Sequence, residues 1–224
     1  VELLERREVS STVHIVFIMP PGQQTNPLMQ NVFSTFLQYL PPEVETSIMF
    51  LDKVRDKLQS LNDCDVAIVF AMGGDDQFMI SSQTRQLIIL NRKDENFNYL
   101  TPDNYAGGRM MAEYLLECGH RDICCPVFHQ EDTGSDFSRR WQGFSDVLSE
   151  AGIDRGVFFI EAGTELRSES FSKVIEHIIN HRNISAIACM TDKIAMHIYS
   201  QSQAMNLKVP DDISVIGFDD QYYA

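Results

Sequence analysis

Asp219 and Asp220 stand at the end of a short apolar run, Ile213 to Phe218, that follows the turn Val209-Pro210-Asp211-Asp212. The run reads as a buried strand, and in an open α/β sheet ligands sit outside the carboxyl ends of the strands. Asp219 therefore lies where a binding site is expected. Asp192 opens a helix after another strand, where capping of the helix competes with a role in a site. Signatures of catalysis are missing: there is no GxSxG elbow, no GxxxxGK[ST] phosphate loop and no HExxH. Gly73-Gly74-Asp75 reads as a loop, because no GxGxxG follows the first strand. His14, His120, His129, His177, His181 and His197 are dispersed. Asp75-Asp76 and Asp211-Asp212 read as turn formers rather than metal ligands. These residue types call for no metal and no cofactor, and the chain does not read as an enzyme.

The composition of the 224 residues, 44% hydrophobic and 22% charged, is that of an ordinary globular protein. The length suits one large domain or two lobes of about 100 residues each. No stretch approaches the ~20 apolar residues of a membrane helix. The start, Val1 to Glu8, is charged and lacks an apolar segment of the secretory kind. A formal net charge of −14 leaves no basic footprint for phosphates, so the chain is not expected to bind nucleic acid by itself. The five cysteines, Cys64, Cys118, Cys124, Cys125 and Cys189, are odd in number and lack framework spacing. That argues for reduced thiols and a cytoplasmic location. Cys124-Cys125 reads as a strand pair facing opposite sides.

Apolar runs of strand length alternate with helix-period segments. Thr12 to Met19, Val44 to Phe50, Asp65 to Met72 and Gln86 to Asn91 read as strands. Asn26-Pro27 opens a helix that ends by Pro41-Pro42, and Val54 to Leu61 reads as a short one. A second series carries strands at Asp122 to Phe128, Val157 to Ile160, Ser185 to Met190 and Ile213 to Phe218. Its helices run from Tyr105 to Cys118, Phe137 to Ala151, Ser168 to His181 and Asp192 to Met205, with Gly119 and Gly152 as stops. Four strands before residue 103 and four after it imply two α/β lobes of parallel sheet flanked by helices. They join near Thr101-Pro102-Asp103. One doubly wound sheet of eight strands is the alternative.

Several blocks of the second half resemble the effector domain of the LacI/GalR family of bacterial transcription repressors. Asp103-Asn104-Tyr105-Ala106-Gly107-Gly108, followed by Leu115-Leu116 and Gly119-His120, resembles the family's "DN-x-x-G…GH" helix. Ser138-Arg139-Arg140-Trp141-Gln142-Gly143-Phe144 resembles "S-x-R-x-x-G-F", and Thr191-Asp192 with Ala195 resembles "N-D-x-x-A". Val209 to Asp220 resembles "VP-D-ISVIGFDD". In the first half the match is looser: an Asn-Pro after the first strand, and Asn91-Arg92 ending the fourth.

The resemblance implies a periplasmic-binding-protein-like fold of type I, with residues 12–102 and 103–224 as its lobes. Residues 1–11 would be the linker after a helix-turn-helix headpiece absent from this chain. The family continues past Asp220 for another lobe crossing, so a C-terminal part is expected to be missing. A small effector, a sugar or derivative or else a purine, would close the cleft between lobes and control operator binding by a homodimer. Carried over residue by residue, Arg140 and Asp219 are the main polar contacts. A planar fork of donors and a carboxylate that accepts from vicinal hydroxyls suit a polyol together. Alanine at Arg140 is then expected to weaken effector binding and leave the fold intact. Asn91 and Arg92 would serve from the other lobe, and Thr191 and Asp192 from the second. Thr191 stands where the family has Asn and offers less reach. Phe17, Tyr105, Trp141 and Tyr222 are candidates for an aromatic wall, with Trp141 better placed in a helix interface. The alternatives left open are a sugar-binding protein of a transport system and a Rossmann-like enzyme.

Overall fold

The computed structural model describes residues 12–19, 27–50, 61, 64–70, 80–127, 136–153, 157–161, 168–181 and 183–220. The expected linker, residues 54–60 of the expected short helix, the cap Asn26, the loops at Gly73 and Asp75, His129 and Tyr222 lie outside the described residues. The chain divides into two compact units, Val1–Thr101 and Pro102–Ala224.

The first unit holds β1 (Val13–Met19), α1 (Pro27–Tyr39), β2 (Val44–Phe50), β3 (Val66–Phe70), β4 (Gln86–Leu90) and β5 (Asn98–Leu100). All strand pairs are parallel, in the order β2-β1-β3-β4-β5. Both faces of β1 are covered, which is why Ile15 to Met19 form an unbroken apolar run rather than an alternating one. Phe17 turns to α1 and meets Phe33 and Phe36 edge-on, while Val16 and Ile18 face a cluster with Leu61 and Ile80. Phe17 is thus part of the core and not of a ligand wall. The strand β5 has no counterpart in the sequence reading: all three of its residues are exposed, so neither alternation nor an apolar run marks it.

The second unit holds α2 (Asn104–Glu117), β6 (Ile123–Val127), α3 (Asp136–Glu150), β7 (Val157–Glu161), α4 (Ser168–Asn180), β8 (Ala186–Ala188), α5 (Asp192–Ala204) and β9 (Ser214–Ile216). Its parallel order is β7-β6-β8-β9. Two sheets, rather than one of eight strands, settle the architecture. Cys124 faces a cluster built by α4 and α5, and Cys125 faces one built by α2 and α3. The adjacent pair therefore serves both faces of the central strand. Local signals place the helix ends. The Asp103 carboxylate caps α2 by accepting from Ala106 N–H at 3.0 Å. Gly119 and Gly152 stop their helices at φ 89° and 72°, where a side chain would be strained.

Burial sorts the thiols. Cys64, Cys124, Cys125 and Cys189 are buried and Cys118 is exposed. Burial pushes the Cys124 thiol up to about 12, and raises Cys64, Cys125 and Cys189 as well. Thiolate is the reactive form. Titration of the native protein with a thiol-reactive disulfide at pH 8 should show one fast equivalent, lost in Cys118→Ser, and five equivalents after unfolding. Two or more fast thiols in the native state would contradict this burial.

Two imidazoles add a pH dependence. His177 stacks on His181 at 4.0 Å between centroids, and His197 stacks on Phe171 at 4.7 Å. Burial lowers both His177 and His197 below the usual 6.5, assisted by His181 and Lys193 respectively. The unfolded chain takes up these protons first as pH falls. Stability is therefore complete above about pH 6.5 and declines as pH drops through the folded values. The melting midpoint should be lower at pH 5.5 than at pH 7.5. A His177→Gln/His197→Gln variant should flatten that slope, and an undiminished slope would assign the loss to other groups.

Candidate functional site

The pairing of α2 with α3 begins the site. Glycines let the two backbones touch: a Cβ on Gly108 would overlap the Arg140 carbonyl oxygen, and one on Gly143 would overlap that of Tyr105. Tyr105 O–H donates to Asp146 Oδ2 at 2.8 Å, and Arg109 grips Glu150 with two bonds of 2.9 Å across the same seam. Tyr105 is thereby a helix clasp and not a ligand wall. Trp141 packs beside Phe144 in the same interface, with centroids 5.8 Å apart.

Arg140 falls on the stripe of α3 that carries Phe144, Val147 and Leu148, so helix periodicity turns it inward. Its residue exposure is only 5%. The guanidinium is held along its edges and over one face. Nε and one terminal nitrogen donate to Asn104 Oδ1 at 3.0 and 2.8 Å. The other terminal nitrogen donates to the Met190 carbonyl and stands 3.6 Å from Asp219 Oδ1. The cation lies over the Phe218 ring, 3.9 Å from its centroid.

Met190, Phe218 and Asp219 come from the carboxyl ends of β8 and β9, and Asn104 from the first turn of α2. Cys189 N–H donates to Ile216 O at 2.9 Å, and Asp192 N–H donates to Phe218 O at 2.7 Å, which knits the two exits together. At Gly217 a Cβ would displace the Asp192 carboxylate. Phe218 fits because Gly107 leaves room for its ring. The chain then turns through Asp219 at φ 112° and Asp220 at φ 49°. Left-handed backbone is costly for a non-glycine residue and clusters at binding sites.

Arg140, Asp219, Asp192 and Thr191 thus gather at one sheet edge of the second unit. Thr191 caps α5: its hydroxyl accepts from Ile194 N–H at 3.3 Å, with φ −149°. The cap is therefore Thr191 and not Asp192, which occupies the first helical position, where a carboxylate is favoured by the helix dipole. Asn91 and Arg92 belong to the first unit and follow β4. Asn91 is left-handed at φ 57° and donates its N–H to Leu100 O at 2.8 Å. Asp211-Asp212 forms a turn, with Asp212 Oδ2 accepting from Lys208 N–H at 2.8 Å. Among the described residues no group of three His, Cys, Asp or Glu side chains could hold a metal ion. Among them, too, no helix is long and apolar enough to cross a membrane.

Residues 112–224, half of the chain, match the family described as "Periplasmic binding protein-like domain". The chain belongs to that family. The curated relatives it resembles are transcriptional repressors. It is 29% identical over 126 residues to the HTH-type transcriptional repressor PurR of Histophilus somni strain 2336, covering 56% of this chain and 37% of the relative. It is 35% identical over 122 residues to the repressor of the same name from Pectobacterium carotovorum strain PC1, covering 54% and 35%. The chain thus spans a little over a third of these curated relatives. Two solved structures are similar in fold. One is a LacI family transcriptional regulator from Enterococcus faecium with bound ribose, at TM-score 0.71 and 20% identity, covering 92% of this chain and 78% of that one. The other is a LacI-family regulatory protein from Corynebacterium glutamicum, at TM-score 0.69 and 15% identity, covering 93% and 77%.

Three contributors to the site of this periplasmic-binding-protein-like domain escaped the sequence reading: Asn104, Phe218 and the Met190 carbonyl. Asn104 did leave a signal. It shares the buried stripe of α2 with Gly107, Gly108, Met111 and Leu115, and a polar residue on an apolar stripe needs a partner. A main-chain carbonyl such as that of Met190 leaves none.

Proposed function

We propose that this chain is the effector-sensing core of a bacterial LacI-type transcription regulator, and that the carboxyl edge of its second sheet binds a sugar or sugar derivative. The observation that carries this reading is the Arg140–Asp219 pair, 3.6 Å apart on the exits of β8 and β9. A guanidinium balanced by a carboxylate offers donors and acceptors with little net charge, which suits a neutral polyol better than an anion. The chain's formal charge of −14 points the same way. The ribose in the Enterococcus faecium regulator is consistent with this class. A nucleobase is the second class to test. Thr191 and Asp192 flank the edge, and Asn91 and Arg92 are proposed as further contacts.

In this reading the ligand acts by binding one arrangement of the regulator more tightly than another, and its differential affinity sets the size of the switch. Operator DNA is read by a headpiece of the helix-turn-helix kind that the relatives' name specifies. The working unit is a homodimer, whose paired headpieces match a palindromic operator, and it works in the cytoplasm without catalysis.

The test is a thermal-shift screen of neutral sugars, sugar phosphates and nucleobases, with Asp219→Asn as control. A neutral sugar at a hundred times its Kd should stabilise the wild type by about 2.7 kcal/mol and the control by about 1.4 kcal/mol or less. A shift by sugar phosphates alone would contradict the charge argument.

A further inference from the structure

We infer that Asn104 is a positioning residue of this site: its amide oxygen takes one edge of the Arg140 guanidinium and so turns the other edge toward Met190 O and Asp219. This rests on reading the Arg140–Asp219 edge as an effector site, and extends it to a residue that need not touch the ligand.

A side chain as long as arginine reaches a defined orientation only when something fixes its plane. Asn104 does this from a separate helix. Oδ1 receives both the Nε–H and a terminal N–H, at 3.0 and 2.8 Å, which fixes the fork in the plane of that pair. The amide itself is anchored, because Nδ2 donates to Pro102 O at 3.3 Å and the backbone N–H of Asn104 donates to the same carbonyl at 2.8 Å. This settles which amide atom faces the arginine. Phe218 then closes one face of the guanidinium at 3.9 Å. Both Asn104 and Arg140 are 5% exposed, so solvent does not compete for these bonds. With the Nε edge engaged by Asn104, the remaining terminal nitrogen is the one that meets Met190 O and lies 3.6 Å from Asp219. The glycine seam between α2 and α3 brings the two residues within reach, so the site's geometry is set where those helices touch.

Two near-isosteric variants separate positioning from packing. Asn104→Asp keeps an oxygen acceptor for Arg140 but gives up the Nδ2 donor to Pro102 O, with the backbone N–H bond to that carbonyl left as the anchor; Asn104→Leu keeps the volume and removes the acceptor. A packing role predicts that leucine is tolerated and a buried carboxylate is not, whereas positioning predicts the reverse. The first readout is the Arg140 Nε–H resonance in 15N NMR, assigned by its loss in Arg140→Lys. It should exchange slowly with solvent in the wild type and in Asn104→Asp, and rapidly in Asn104→Leu. The second is calorimetric titration with D-ribose and with hypoxanthine. For whichever probe the wild type binds, Asn104→Asp should stay within about threefold of its Kd and Asn104→Leu should weaken it tenfold or more. Leucine behaving as the wild type, or aspartate behaving as leucine, overturns the assignment. Should Asn104→Leu fail to fold, a rapidly exchanging Nε–H in the wild type overturns it alone. Absence of binding by either probe counts against the effector reading, and the resonance then decides the role of Asn104 separately.

Discussion

Arg140→Ala should lower the stability of the second unit by about 3 kcal/mol and abolish binding at its carboxyl edge. The variant leaves Asn104 Oδ1 and Met190 O without the donors they hold now, and leaves Asp219 without its cation. Removing one member of a buried pair costs more than the pair contributes, because the remaining groups stay desolvated. The sequence alone suggests a milder outcome, with the fold intact. The 5% exposure of Arg140 changes that expectation. Arg140→Lys should fall between, since an ammonium keeps the charge but cannot serve Asn104, Met190 and Asp219 at once. Urea unfolding checks both variants: the midpoint should drop for alanine and less for lysine. A wild-type midpoint for alanine would show that the buried network contributes nothing.

Gly108→Ala should be destabilising by about 3 kcal/mol or more, the upper end for overpacking, and Gly143→Ala similarly. In each case the new Cβ would meet a main-chain atom of the facing helix, which cannot rotate away as a side chain would. The helices must separate, and Asn104 and Arg140 move apart with them. Gly119→Ala provides the contrast. Nothing lies within 4 Å of a Cβ there, so only the left-handed φ of 89° is penalised, at about 1 kcal/mol. Equal losses at 108 and 119 would mean that backbone conformation, not helix contact, governs the seam.

The legible and illegible parts of this fold differ for physical reasons. Strands covered on both faces, such as β1 and β3, announce themselves as apolar runs, and Asp103, Gly119 and Gly152 mark helix ends by local backbone chemistry. β5 was illegible because three exposed edge residues carry no pattern. The cap of α5 was displaced by one residue, because Thr191 and Asp192 are both good caps and only the backbone angle at Thr191 decides between them. Arg139 and Arg140 are alike as residue types; helical phase alone puts Arg140 inside and leaves Arg139 exposed over the Tyr105 ring at 5.6 Å. Asp219 was legible from its place after a strand. Its strained φ of 112° was not, since an Asp-Asp pair after a strand fits several turn geometries.

The central claim is that Asp219 and Arg140 together hold a small polyhydroxylated molecule. Asp219→Asn tests it cleanly. Asparagine is nearly isosteric, tolerates a positive φ at least as well as aspartate, and removes the charge that pairs with Arg140 while exchanging one acceptor oxygen for an amide donor. The measurement is calorimetric titration of wild type and Asp219→Asn with the neutral sugar that most raises the wild-type melting midpoint. An unchanged ligand-free fold is expected, with a Kd weakened at least tenfold, or about 1.4 kcal/mol. An unchanged Kd in Asp219→Asn would contradict the claim and move the site away from the exits of β8 and β9.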